Sequence, residues 1–220
     1  MIAAIIAAAG SGERFGASIP KALIQLGDRT LLEHAVASIS AVADQIVVTA
    51  PAGYEEQIKK LVGDDIVVVT GGATRSESVR AGLAVIKGAD FVLVHDAARP
   101  FASPAVYQHV ISAIVDGAAG AVPGIPVVDT IKQVNASNVV TSTLHRETLR
   151  AIQTPQAFRA EALRKAHANG GEGTDDATLI EKIAGEVVVV EGEVVNRKIT
   201  TREDLEWAVA HANHHLRGEV

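Results

Sequence analysis

The sequence contains no cysteine, which excludes disulfides, thiolate zinc sites and cysteine nucleophiles and suits a cytoplasmic location. Aromatic residues make up only 3% of the chain, so the core must be built from Ala, Val, Ile and Leu. No apolar run approaches the roughly 18 residues of a membrane span. The N-terminus is apolar, yet no Lys or Arg precedes Arg14, so the basic flank of a secretory signal is missing. A basic excess is lacking too. The 20 Lys and Arg against 26 Asp and Glu give a net charge of −6, which argues against a general nucleic-acid binder. Neither a nucleic acid nor a membrane is expected as a partner, and the cations that matter should be concentrated in a site.

What the sequence does have begins in Met1 to Leu23. Ile2-Ala3-Ala4-Ile5-Ile6-Ala7-Ala8 is an apolar run of buried-strand length without polar alternation. It breaks into Ala9-Gly10-Ser11-Gly12-Glu13-Arg14-Phe15-Gly16 and closes on Ile19-Pro20-Lys21-Ala22-Leu23. The glycines let backbone N–H groups approach an anion, and two cations, Arg14 and Lys21, share the excursion. A strand feeding such a loop suggests a polyphosphate cradle. The loop is not a P-loop, because no Gly-Lys-Ser/Thr opens a helix. It is not the dinucleotide fingerprint either, because Glu13, Arg14 and Phe15 separate Gly12 from Gly16.

At 220 residues the chain suits one domain, which would bury roughly 70% of its unfolded surface. Thr30 to Val36 starts a helix with a Thr30/Glu33 capping box. Strands are expected at Gln45–Ala50, Ile66–Thr70, Phe91–Val94, Gly120–Pro126 and, as a last central strand, Val187–Glu191. Helices alternate with them near 54–62, 75–86, 104–114 and 159–168, and after Thr201. Thr74 and Thr174 read as N-caps. This rhythm implies an α/β fold with a mainly parallel, Rossmann-like sheet and helices on both faces. The alternation fails at 127–144, where two short strands flank the turn Asn135-Ala136-Ser137-Asn138. That hairpin is too poor in large apolar residues to stand alone, so it should lie against the body or a partner chain.

Parallel sheets bind ligands beyond the carboxyl ends of their strands. There the chain places Gly71-Gly72-Ala73-Thr74-Arg75-Ser76-Glu77-Ser78 and His95-Asp96-Ala97-Ala98-Arg99-Pro100. Ser78 could bond a base or sugar. Asp96 could hold Mg²⁺, which takes one or two carboxylates plus phosphate oxygens and water, or it could cap the next segment or pair with Arg99. His95 reads as a packed residue, and His211, His214 and His215 as a solvated helix face.

Together with Asp129-Thr130-Ile131-Lys132, Thr154-Pro155-Gln156, Thr174-Asp175-Asp176-Ala177 and Asn196-Arg197-Lys198-Ile199-Thr200, these motifs run in order along nearly the whole chain. In this the sequence resembles the 2-C-methyl-D-erythritol 4-phosphate cytidylyltransferases. The resemblance implies transfer of CMP from CTP to a polyol phosphate, with release of pyrophosphate and with Mg²⁺ as cofactor. It implies catalytic roles for Arg14 and Lys21, and nucleotide contacts from Ala8, Ala9, Gly10, Ser11, Gly12, Gly72, Ser78 and Ala97. Asp96, Arg99, Thr130, Arg146 and Lys198 are the implied acceptor-binding residues, with Asp96 also the metal ligand. It further implies a homodimer, the arm over about 127–152 reaching from one domain of residues 1–220 into the neighbouring subunit. The chemistry suits these residues. A phosphate monoester is already largely dianionic at neutral pH, with a second pKa of about 6, so the site must chiefly overcome anion repulsion.

Two other readings are compatible with parts of the pattern. A ribitol-5-phosphate cytidylyltransferase would share the first loop, though Ala98 favours the isoprenoid enzyme. A non-catalytic nucleotide sensor could dispense with Lys21, whose retention argues for catalysis.

Overall fold

The computed structural model describes residues 1–10, 12 and 19–216. In chain order the elements are β1 (Ile2–Ala7), β2 (Gln25–Leu26), β3 (Arg29–Thr30), α1 (Leu31–Ile39), β4 (Gln45–Ala50), α2 (Glu55–Val62), β5 (Val67–Thr70), α3 (Arg75–Val85) and β6 (Phe91–Asp96). There follow α4 (Pro104–Val115), β7 (Gly120–Pro126), β8 (Lys132–Val134), β9 (Val140–Thr143), β10 (Arg150–Ile152), β11 (Gln156–Arg159), α5 (Ala160–His167), α6 (Ala177–Lys182), β12 (Val187–Glu191) and α7 (Arg202–Leu216). None of the helices among the described residues is long and apolar enough to cross a membrane.

The main sheet runs β10-β7-β11-β6-β1-β4-β5, with β12 on β7. From β6 to β5 all pairings are parallel, and Ile5 of β1 stands level with Val47 and Val94 on either side. Period-two alternation then sends successive residues to opposite faces. Ala4 and Ile6 pack with Leu32, Ile39 and Tyr107 in one layer, while Ala3 and Ile5 pack with Val79, Leu83, Phe158 and Leu163 in the other. The expected helical cover on both faces is present. Thr30 and Thr74 cap α1 and α3 with the reciprocal bonds that their Glu partners predict. A third cluster joins the two ends of the chain: Ile24, Leu26 and Leu31 pack with Ile199 and Ala208, flanked by Phe101 and Trp207.

Several expectations are revised. Segment 150–159 supplies two antiparallel strands, β10 against β7 and β11 wedged between β6 and β7. The arm expected over 127–152 therefore rejoins the sheet at Arg150. Its hairpin is shorter than expected, with β8 and β9 paired to each other, and Asn135 Oδ1 accepts from Ser137 N and Val139 N to shape the turn. Val128, Val134, Val139 and Val140 stay exposed, so this chain's own body does not cover the arm. Among the described residues β12 pairs only with β7 and leaves Val189 51% exposed, an edge rather than a central strand. Thr174 does not cap α6, which starts at Ala177. Instead Asp175 Oδ1 accepts from Thr178 N at 3.0 Å, and Asp176 turns inward.

Candidate active site

Three chain reversals at the carboxyl ends of β1, β5 and β6 form the site. After β1, Ala8 N–H donates to Thr49 O at 3.1 Å, which holds the chain in line with the sheet before it turns. Gly12 has φ of 70°, a left-handed conformation that glycine adopts at little cost, and a Cβ there would sit 3.1 Å from that of Lys21. After β5, Gly71 N–H donates to Ala50 O at 2.8 Å. A Cβ on Gly72 would collide with the Glu77 side chain. Gly72 N–H donates to Ser78 Oγ at 3.1 Å, and Ser78 Oγ donates to Thr74 O at 2.9 Å. Ser78 thus shapes the glycine turn, in addition to lining the cleft.

After β6 the bonds are internal. Asp96 N–H donates to Thr154 Oγ1, which lies 3.1 Å from His95 Nδ1, while His95 Nε2 lies 3.1 Å from Arg99 O. Burial pushes His95 down to about 4, so it is neutral at pH 7 and serves as the packed brace that the sequence suggested.

Between the turns lies an open cleft of about 560 Å³. The first turn lines it with Ala8, Ala9, Gly10, Gly12 and Lys21, the second with Gly72 and Ser78. Asp96, Ala97 and Lys198 line it as well. Lys198 comes from a strap, 196–200, pinned on both sides: Ile199 N–H donates to Ala98 O, and buried Asn196 Nδ2 donates to Thr154 O at 2.9 Å. Ser11 and Arg14 lie outside the described residues.

Three expected acceptor contacts are not in this cleft. Arg99 points its guanidinium at main-chain carbonyls, Asn196 O at 2.7 Å and Ile152 O at 3.3 Å. Half-buried there, with its pKa lowered by desolvation, it braces the strap that carries Lys198. Thr130 and Arg146 sit on the exposed arm, where Arg146 Nη1 donates to Val128 O at 2.6 Å.

The structure adds to the site a residue at the first turn of α3. Arg75 lines the cleft, and its Nε donates to Asp96 Oδ1 at 3.1 Å while its Nη1 donates to Asp176 Oδ2 at 2.6 Å. Asp176, fully buried, also meets His167 Nε2 at 2.9 Å through Oδ1. The signal was present, since Arg75 and Asp176 both fall in the quoted motifs, but both also suit a first helical turn. Asp96 does not pair with Arg99: its Oδ2 accepts from Lys198 Nζ at 2.6 Å. Burial raises the Asp96 pKa, but Arg75 and Lys198 outweigh it and hold the carboxyl well below the usual range. Burial likewise lowers Arg75, but Asp96 and Asp176 outweigh it and keep the guanidinium charged. Removing one partner of such a buried pair costs about 3–5 kcal/mol.

The cleft is therefore lined by Lys21, Arg75 and Lys198, the last two paired with Asp96, a mainly cationic lining suited to a polyphosphate. Among the described residues no group of three or more His, Cys, Asp or Glu could hold a metal unaided. Asp96 alone fits a hard cation that arrives with phosphate oxygens and water as its other ligands.

A family model described as 2-C-methyl-D-erythritol 4-phosphate cytidylyltransferase matches residues 2–214. A protein of that name from Rhodococcus jostii (strain RHA1) is 44% identical over 212 residues, 95% of this chain and 94% of the relative. The crystal structure of the Thermus thermophilus enzyme of that name superposes with a TM-score of 0.81 at 36% identity, covering 97% of this chain and 100% of its own. A 4-diphosphocytidyl-2C-methyl-D-erythritol synthase from Anaerococcus prevotii DSM 20548 superposes at 0.84 with 32% identity, over 96% and 98% of the two chains.

Proposed function

Since this chain belongs to the 2-C-methyl-D-erythritol 4-phosphate cytidylyltransferase family, and so is a CTP-dependent enzyme forming 4-diphosphocytidyl-2-C-methyl-D-erythritol, we propose that its two anionic substrates meet in the cleft between the glycine turns. A phosphate oxygen of the acceptor attacks the α-phosphorus of CTP. The bond from that phosphorus to the bridging oxygen breaks, and pyrophosphate leaves with the electron pair. The acceptor is already a dianion, so no general base is needed. The demand is to bring like charges together and stabilise the crowded α-phosphate.

Lys21 and Arg14 carry that role, assisted by backbone N–H groups of the first turn around Ala8, Ala9, Gly10, Ser11 and Gly12. Gly72, Ser78 and Ala97 form the nucleoside side of the site. Lys198 receives the acceptor phosphate, and Asp96 with the triphosphate oxygens would hold Mg²⁺. Bound there, Mg²⁺ neutralises charge on the α-phosphate. The observation that carries this reading is the Lys198–Asp96 contact of 2.6 Å in the cleft that Lys21 also lines.

The 220 residues act as one nucleotidyltransferase domain in the cytoplasm, with the arm that leaves the sheet after Pro126 and rejoins it at Arg150 as an insert. The exposed valines of the arm support a homodimer in which Thr130 and Arg146 finish the partner's site. The test is pyrophosphate release from CTP and Mg²⁺ with methylerythritol phosphate, with ribitol 5-phosphate, or with neither. Release should require methylerythritol phosphate. Equal or faster release with ribitol 5-phosphate would overturn the acceptor assignment, and release without acceptor would overturn the transfer reading.

A further inference from the structure

The reaction uses Asp96 and Lys198 but does not account for the buried charges behind them. Asp96 is held asymmetrically. Oδ1 accepts from Arg75, which is fixed at its far end by Asp176, 2.6 Å away. Asp176 is in turn sandwiched against His167, itself only 4% exposed. Oδ2 meets Lys198, a cation on a flexible stem whose side chain is 37% exposed. A planar guanidinium can bridge two carboxylates in one fixed geometry, and an ammonium cannot. One oxygen of Asp96 is therefore pinned, while the other has a partner that can leave.

We propose that Arg75 is a positioning residue for cytidylyl transfer. Anchored on the buried Asp176–His167 pair, it locks Oδ1 of Asp96, so that Oδ2 alone passes between Lys198 and the divalent cation that accompanies the triphosphate. The inference rests on the reading of Asp96 as the residue that meets the metal. Without the lock the carboxylate turns about its own axis, and both the cation and Lys198 lose a fixed partner. Outer groups that orient a metal-binding carboxylate typically change affinity or activity about 10–100-fold.

The test uses the full chain with Arg75→Lys and Asp176→Asn, and Asp96→Asn as reference. Mn²⁺ binding in the presence of CTP is followed by electron paramagnetic resonance, beside kcat and KM for each substrate. Arg75→Lys and Asp176→Asn should each weaken Mn²⁺ binding and lower kcat about tenfold or more, with little change in KM for CTP. Added Mn²⁺ should restore part of kcat, which it would not do for a protein that had merely lost stability. If both variants keep wild-type binding and kcat while Asp96→Asn loses them, the proposal is overturned and the reading of Asp96 stands. If Asp96→Asn is itself unimpaired, that reading falls and the proposal with it. Should Arg75→Lys lose its circular dichroism, Asp176→Asn decides by the same measurements. Unfolding of both would overturn the proposal, because the charges would then serve stability alone.

Discussion

Gly71 leaves no room for a side chain beside Ala9: a Cβ there would overlap the Cβ of Ala9 and stand 2.9 Å from Ser78 Oγ. The first and second glycine turns are thus held in direct contact, and on the proposed reading that contact would set the triphosphate relative to the nucleoside. Gly71→Ala has to force the turns apart. A displacement of about 1 Å in a reacting geometry can cost around 10²-fold, and a loss of that order is expected in kcat/KM for CTP. Steady-state kinetics with unchanged CTP efficiency would show that the turns move independently.

Lys21→Ala should lower kcat by about 10²–10³-fold, as loss of one preorganised donor does. Turnover at the wild-type level would remove Lys21 from the chemistry.

Arg99 gives a contrasting case. Arg99→Ala leaves the carbonyls of Asn196 and Ile152 without their donor, at a cost of about 1–3 kcal/mol. Its melting temperature should therefore fall together with acceptor affinity, because the strap of Lys198 loosens. Loss of acceptor binding at an unchanged melting temperature would instead mark Arg99 as a direct phosphate contact.

His95 should set the acid limit of stability. Its ordinary pKa of 6.5 falls to about 4 in the fold because burial disfavours the charged ring. Between those values the unfolded chain binds a proton that the folded chain refuses, so stability falls as pH drops from 6.5 to 4. The loss is on the order of 3 kcal/mol. Asp96, held below its ordinary 3.8, contributes stability that is lost only below this window. Urea midpoints at pH 7 and pH 4.5 should differ less for His95→Gln than for the wild type, and equal differences would contradict this account.

Mixing inert Lys21→Ala chains with inert Arg146→Ala chains should restore some activity if the arm completes a neighbouring site, since one of the two shared sites would then be intact. No recovery in mixed dimers would confine Arg146 to its own subunit.

The parallel half of the sheet was readable because largely buried strands such as 2–7 and 91–94 are continuous apolar runs that give way to turn residues. Segment 150–159 was not, because Gln153, Thr154 and Gln156 interrupt any apolar period, and their burial is made possible by bonds to distant partners such as Asn196 and Asp175. At the site, glycines and Lys21 announced themselves through local spacing. The inward turn of Asp176 and the brace made by Arg99 depend on contacts 101 and 97 residues apart in sequence, which no local pattern encodes.

The third apolar cluster gives the C-terminal helix a reach beyond its own position. Ala208 of α7 and Ile199 beside Lys198 share that cluster with Ile24, just after Lys21, so two cationic tips from opposite ends of the polypeptide rest on one greasy hinge-pin. A proteolytic nick that freed α7 would cut no residue of the cleft, yet it would loosen the footing of Lys21 and Lys198 together.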